Sequence, residues 1–278
     1  MAIASQQISR LGNTLAPSVV TFGKLRMLLH SPNAQRHDIV NLLRIDQALT
    51  FHVIRLTNSV AFSSGRRIDS LEDAVDWVGF GEIYRLVGLA ALAQVHQADL
   101  PTYRITAKQH WANAVVGALA MEALAQRTEH DKGIAYTAGL LRTIGRVIND
   151  SMSEGQVYPG ESEWPSIAEW EETYLGITSE EITVRLFEIW NYPEEMGVAV
   201  RGHLNPPTHG RYSSMACLLN LAGGIASSLG HGMPGEACHW TLRPEVLDCA
   251  TITEADLKEC TEQVKVTFAA LKATAPGA

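Results

Sequence analysis

Apolar residues recur at every third or fourth position along almost the whole chain, while the two-residue alternation of a half-buried strand is scarce. That pattern predicts an all-α fold, a multi-helix bundle without significant sheet. Pro17 sits where a first helical residue belongs, and the stripe Phe22, Leu25, Leu29 follows until Ser31-Pro32-Asn33 stops it. Asp46 can cap the next helix, whose apolar face is Leu49, Val53, Leu56 and Val60, ended by Ser63-Ser64-Gly65. Ser70 and Asp73 have the pattern of a capping box ahead of Leu71, Val75 and Val78. Gly79-Phe80-Gly81 then breaks the chain, and another helix runs on from Glu82. The N-terminal part thus reads as about five short helices joined by tight turns.

A longer helix starts near Thr106, with Trp111, Ala114, Ala118, Met121 and Ala125 on one face, and its small residues invite a close neighbour. Asp131 can cap the following segment, GIAYTAGLLRTIGRVI, which is apolar nearly all round and reads as one helix at the centre of the core. Residues 151–165 are a loop of Gly, Pro, Ser and Glu. Helices resume at Pro165 (Ile167, Trp170, Tyr174), at Thr178 with Glu181 as a second capping box, and at Pro193. A regular seam, Met215, Leu218, Ala222, Ile225 and Leu229, marks 211–229. Residues 230–243 read as loop, the last helix begins near Thr253, and 273–278 read as a frayed tail.

The 278 residues allow a core of ordinary size, and 46% apolar against 19% charged residues is the balance of a folded chain. No uninterrupted apolar run reaches the length of a membrane span, and MAIASQQISR lacks the basic start and apolar stretch of a secretory signal, so a cytoplasmic protein is expected. Cys217, Cys238, Cys249 and Cys260 form no C-x-x-C pair and read as free thiols. Residues 1–111 carry 11 basic and 8 acidic side chains, a balance of +3; residues 112–278 carry 11 and 22, a balance of −11, for −8 overall. An acidic chain without a basic stripe argues against nucleic-acid binding, where phosphate contacts supply most of the affinity. No phosphate-binding glycine loop, nucleophile elbow or H-E-x-x-H occurs.

Two stretches carry a resemblance. RIDQALTFHVIRLTNSVAFSSGRRIDSLEDAVDWVGFGEIYRLV, residues 44–87, is similar to the opening of HDOD domains (HD-related output domains) through Asp46, Asn58, Ser59, Ser70 and Gly79, with Leu49, Leu56, Leu71 and Ala74 between them. Residues 111–148 resemble the pair of helices that hold the first ligands in the HD-superfamily phosphohydrolases, and the likeness continues through GITSEEITVRLFEIWNYPEEM. The resemblance implies an HDOD domain over 8–230, a small-helix lobe at 8–100 and an HD-like core at 101–230, with a C-terminal loop and helix at 231–278 packed on the core.

An active HD enzyme needs several His and Asp ligands at once, because the metal they hold lowers the pKa of a bound water and stabilises charge on phosphorus. By the resemblance those positions fall on Asn113, Arg142, Thr143, Ser179, His203 and Gly223. Only His203 is a good ligand, and the permanent charge of Arg142 opposes a divalent cation. The expectation is therefore a domain with a degenerate active site: no enzyme, no metal and no cofactor, but a regulator of bacterial signal transduction working by contact with signalling proteins. One alternative is a sensor of a nucleotide, cyclic dinucleotide or other small phosphorylated ligand, with Arg142 reading phosphate. Another is a hydrolase with relocated ligands that include His203 and His209. Arg142 is expected rather to form a buried ion pair with Asp150 or a glutamate. His203, His209, His231, Cys238 and His239 match no zinc spacing and read as polar residues without metal. Asn58 and Ser59 read as helix-end residues that satisfy backbone groups. Among the aromatics crowding 158–192, Trp170 and Trp190 read as core, and Trp164, in the loop, as a partner contact.

Overall fold

The computed structural model describes residues 7–12, 17–58, 67–164 and 166–272. A helical turn at 7–12 precedes thirteen α-helices, and among the described residues the sole extended pairing is an isolated antiparallel bridge between Leu100 and Ile105. The all-α expectation holds. The chain forms two compact units, one of residues 13–97 with 269–278, the other of 1–12 with 98–268.

The first unit contains α1 (Pro17–Leu29), α2 (Arg36–Arg44), α3 (Gln47–Thr57) and α4 (Leu71–Val95), with α4 packed on the other three. Its core includes Phe22, Leu25, Leu43, Leu49, Val53 and Leu86, all wholly buried. The expected caps are in place: Asp46 accepts from Leu49 N at 2.9 Å and Ser70 Oγ accepts from Asp73 N at 3.0 Å. Asn58 ends α3 and holds the returning chain with its amide, donating to the carbonyls of Ile54 (2.9 Å) and Ile68 (2.6 Å) while accepting from Ile68 N (2.8 Å). Ser59, its expected companion, lies outside the described residues.

The break expected at Gly79 is a kink inside α4. Gly79 has φ +78° and ψ 171°, a conformation essentially reserved for glycine, and a Cβ there would meet nothing within 4 Å. The constraint on this position is therefore conformational, not steric. Among the described helices α4 alone is long and apolar enough for a membrane span, but it is half buried in its unit, with Ile83, Leu86 and Val87 wholly enclosed.

The second unit begins with α5 (Ala107–Ala125) and α6 (Lys132–Leu141), the most extensively packed helix pair. Glycines permit that approach: a Cβ on Gly139 would lie 2.4 Å from the Gly117 carbonyl oxygen. The apolar segment after Asp131, expected as one helix, is two. The chain turns at Arg142–Ile144 and resumes as α7 (Gly145–Met152), a break that periodicity could not show because both pieces are buried on most sides. Then come α8 (Ile167–Tyr174), α9 (Ser179–Ile189), α10 (Glu194–Gly202) and α11 (Ser213–Ser228), with α11 against α5 and α10. Residues 230–243 are irregular apart from a 3-10 turn at Ala237–His239. A short α12 (Pro244–Ala250), absent from the sequence reading, precedes α13 (Glu254–Lys272).

Candidate functional site

The break after α6 places an arginine where a continuous helix would not. Arg142 leaves the end of α6 only 5% exposed. It meets side chains from α5 (Asn113), the residue after α10 (His203) and the irregular 230–243 segment (Glu236). Its Nη1 lies 3.0 and 2.9 Å from the two carboxylate oxygens of Glu236 and 2.9 Å from His203 Nε2, and its Nη2 donates to Asn113 Oδ1 at 3.0 Å. Arg146, one turn further and 1% exposed, donates to Glu236 Oε1 at 2.6 Å. One carboxylate thus sits between two guanidiniums in the interior. The expected ion pair exists with Glu236; Asp150 instead accepts from Thr102 N at 2.8 Å.

These partners fix the state of His203. Its Nδ1 lies 2.7 Å from the Val200 carbonyl, which can only accept, and its Nε2 faces a guanidinium, which can only donate. The ring is therefore the neutral Nδ1–H tautomer, and burial followed by the Arg142 charge lowers its pKa to about 3. Burial pushes the Glu236 carboxyl upward, but the charges of Arg142 and Arg146 outweigh it and hold the group below the usual carboxylate range.

Beyond Arg146 lies an acidic pair, Glu171 and Glu180. Glu171 accepts from Tyr103 Oη and from Ser179 N, each at 2.6 Å. Burial, with repulsion from Glu180, raises Glu171 to about 7, and burial raises Glu180 as well. The Arg146 guanidinium carbon lies 5.2 Å from the centre of the Tyr103 ring. Thr143, beside Arg142, pairs with His110 at 2.9 Å. Gly223 supports the ring of Trp240, which a Cβ would meet at 2.5 Å, and that ring centre is 5.8 Å from the Arg142 guanidinium carbon.

The six positions singled out in the sequence therefore gather in one region of the second unit. Asn113, Arg142 and His203 touch directly; Thr143, Ser179 and Gly223 act one contact away. The motif residues Asp46, Asn58, Ser70 and Gly79 belong to the first unit and serve its backbone. Trp164 is half buried against the cluster of Tyr103, Tyr158, Ile167 and Trp170, with its ring edge-on to Tyr174 at 5.5 Å. None of the four cysteines is in a disulfide, and the histidine and cysteine positions of the loop do not converge: His231 packs on Phe268 and Cys238 is exposed. Arg146, Glu236 and Trp240 escaped the sequence reading. Arg146 had a signal, a second arginine four residues on within an apolar segment; Glu236, in an aperiodic loop, had none.

A divalent cation does not fit this pocket. The Nε2 lone pair of His203 and the Oδ1 of Asn113 both accept from Arg142, and a permanent cation stands where the metal would. Among the described residues no three His, Cys, Asp or Glu side chains are grouped to hold an ion.

The family model of the HDOD domain matches residues 15–206. The fold is similar to the crystal structure of a proposed signal transduction protein from Marinobacter aquaeolei VT8, with TM-score 0.70 and 24% identity over 95% of this chain and 60% of that one. It is also similar to an HDOD domain protein of unknown function from Geobacter sulfurreducens, with TM-score 0.67 and 18% identity over 99% and 100% of the two chains. A curated relative from Treponema pallidum (strain Nichols), itself uncharacterised, is 26% identical over 192 residues, 66% of this chain and 36% of that protein. The chain thus spans well under two thirds of that relative's length.

Proposed function

The chain belongs to the HDOD family, and from that premise we propose that it is a non-catalytic regulatory domain of bacterial signal transduction, acting in the cytoplasm through contacts with other signalling proteins. The observation that carries this reading is Arg142. Metal-assisted phosphoryl chemistry requires a cation with an open coordination position and a water on it. Here Arg142 consumes the lone pair of His203, the one metal-binding nitrogen retained at the ligand positions, and Glu236 is consumed by Arg142 and Arg146. A hydrolase with relocated ligands has no His203 to work with unless this network is dismantled. A nucleotide read by Arg142 would first have to displace Glu236.

The test uses the full chain loaded with manganese, gel-filtered, and assayed for bound metal and for turnover of a chromogenic phosphodiester and of cyclic dinucleotides. Substoichiometric metal and no turnover above the blank are expected. Stoichiometric manganese with turnover that disappears in His203→Ala overturns the proposal.

A further inference from the structure

We propose that the Arg142–Arg146 pair is a binding site for a compact oxyanion of the phosphate type, which the chain keeps closed with its own Glu236, so that residues 231–243 form an exchangeable plug. The inference goes beyond the regulatory reading and rests on one part of it, that no metal ion occupies the pocket.

The first observation is that both arginines have contacts besides Glu236. Arg142 is held by Asn113 Oδ1 at 3.0 Å and His203 Nε2 at 2.9 Å, and Arg146 lies over the Tyr103 ring at 5.2 Å. One guanidinium held by other groups, with a second packed on an aromatic ring and aimed at the same point, makes a pre-organised anion site, because the planar fork matches oxyanion geometry. The second is that the carboxylate leaves one buried donor unmet. Arg146 Nη1 is buried and has no hydrogen-bond acceptor, while both oxygens of Glu236 are already engaged. A tetrahedral anion brings further oxygens to that donor. The third is charge. Two permanent cations face a single carboxylate that stays ionised, since burial pushes the neighbouring Glu171 and Glu180 toward their protonated forms.

The fourth argument concerns the origin of Glu236. Asn113, Arg142, Arg146 and His203 stand on helices or at their ends, whereas Glu236 comes from a segment whose regular structure is one 3-10 turn. Besides the ion pairs of Glu236, that segment is tied by Asn113 Nδ2 to the His231 carbonyl at 2.7 Å, Asn220 Nδ2 to the His239 carbonyl at 3.2 Å, Gly235 N to Glu161 at 2.8 Å and Ile167 N to the Gly235 carbonyl at 3.1 Å, and Met233 is buried in the cluster with Tyr158 and Trp170. Asn113 bonds Arg142 with one end of its amide and the segment with the other. Anion binding at Arg142 is thereby linked directly to the hold on the segment. Trp240, half buried over Gly223, and the exposed Leu242 would be uncovered or moved as it leaves. The rival account, in which the three charges are only an internal strut, predicts no anion response.

Glu236→Ala removes a CH2–COO⁻ group, which acetate replaces almost atom for atom. The experiment follows thermal unfolding of the full-length native chain, Glu236→Ala, and Glu236→Ala with Arg142→Ala. Each is titrated with acetate and with inorganic phosphate against chloride at fixed ionic strength. A ligand that binds only the folded state raises the midpoint by mass action. The expected result is a lowered midpoint in Glu236→Ala that acetate and phosphate restore saturably by several degrees, with no restoration in the double variant. If Glu236→Ala does not fold, hydrogen exchange on the native chain decides: phosphate, and not chloride, is expected to speed exchange across 231–243 and slow it at 142–146. Equal response to chloride and phosphate, or exchange unchanged by phosphate, overturns the proposal. Manganese content measured on the same samples separates this failure from failure of the metal-free reading.

Discussion

Replacing members of the Arg142–Glu236–Arg146 triad by methionine tests whether its charges act as a unit. Glu236 is 1% exposed and receives hydrogen bonds from two guanidiniums that are themselves 4% and 1% exposed. Glu236→Met strands both cations, and removing one side of a buried ion pair costs about 3–5 kcal/mol. Arg142→Met spares the 2.6 Å contact between Arg146 and Glu236 but leaves Asn113 Oδ1 and His203 Nε2 without that donor. At about 1–3 kcal/mol for each unsatisfied buried acceptor, offset by relaxation, the loss comes to about 3 kcal/mol. In the double variant one of the two cations stranded by the first change is gone, so the losses overlap in part. A coupling of about 2 kcal/mol is expected, well above the scatter of independent sites, about 0.5 kcal/mol. The assay is urea unfolding of the four chains at neutral pH, followed by far-ultraviolet circular dichroism. Losses that add within that scatter, or a Glu236→Met cost below about 1 kcal/mol, would refute a dry, mutually dependent triad.

Two further outcomes follow from single groups. Glu171 holds its proton to about 7, against an ordinary 4.5, so the folded chain keeps a proton that the unfolded chain releases; the stability this supplies is full below the lower value and lost as pH rises through the higher. Glu171→Gln should therefore gain on the native chain by on the order of 3 kcal/mol across that window, and parallel stability–pH curves for the two proteins would sink the assignment. Gly79→Ala forces a side chain into φ +78° and should cost about 1–3 kcal/mol, whereas Gly81→Ala, two residues on at a position with open space and no left-handed φ, should be neutral or mildly stabilising; equal thermal shifts in the two variants would refute the conformational account.

What could be seen in the sequence follows from the range of the forces involved. Caps are local, so Asp46, Ser70, Asp131 and Thr178 could be placed from their immediate neighbours, and each accepts the expected backbone N–H. The all-α class could be read because period is a property of short windows. The turn at Arg142–Ile144 could not, since a segment buried on most sides has no face whose phase could slip. The site divided in the same way. Asn113, Arg142 and His203 were found through a resemblance that compares helices with helices. Glu236 acts across 94 residues of sequence from Arg142, out of a loop whose composition gives no direction, and only the fold brings the two together. A buried arginine in an apolar segment implies a carboxylate somewhere; it does not say which of the 30 acidic residues supplies it.

The pocket can also be described by what stands at its centre. A metal site of the kind needed for phosphoryl chemistry has a central cation ringed by groups that give electron pairs. Here the centre is the Glu236 carboxylate, and the groups around it give protons: Arg142 and Arg146 directly, with Asn113 and His203 holding Arg142 in place. The polarity is the inverse of a metal site's, at a convergence of α5, the α6–α7 turn and the end of α10. Glu236 keeps Arg142 and Arg146 from standing as two uncompensated buried cations, and they in turn are its counter-ions. The arginine and the glutamate are therefore one device. An HDOD chain whose residues at the Arg142 and Arg146 positions are both neutral should also lack the acidic residue on its 230–243 counterpart, and the structure of one such chain retaining a buried carboxylate there with no cation beside it would break that link.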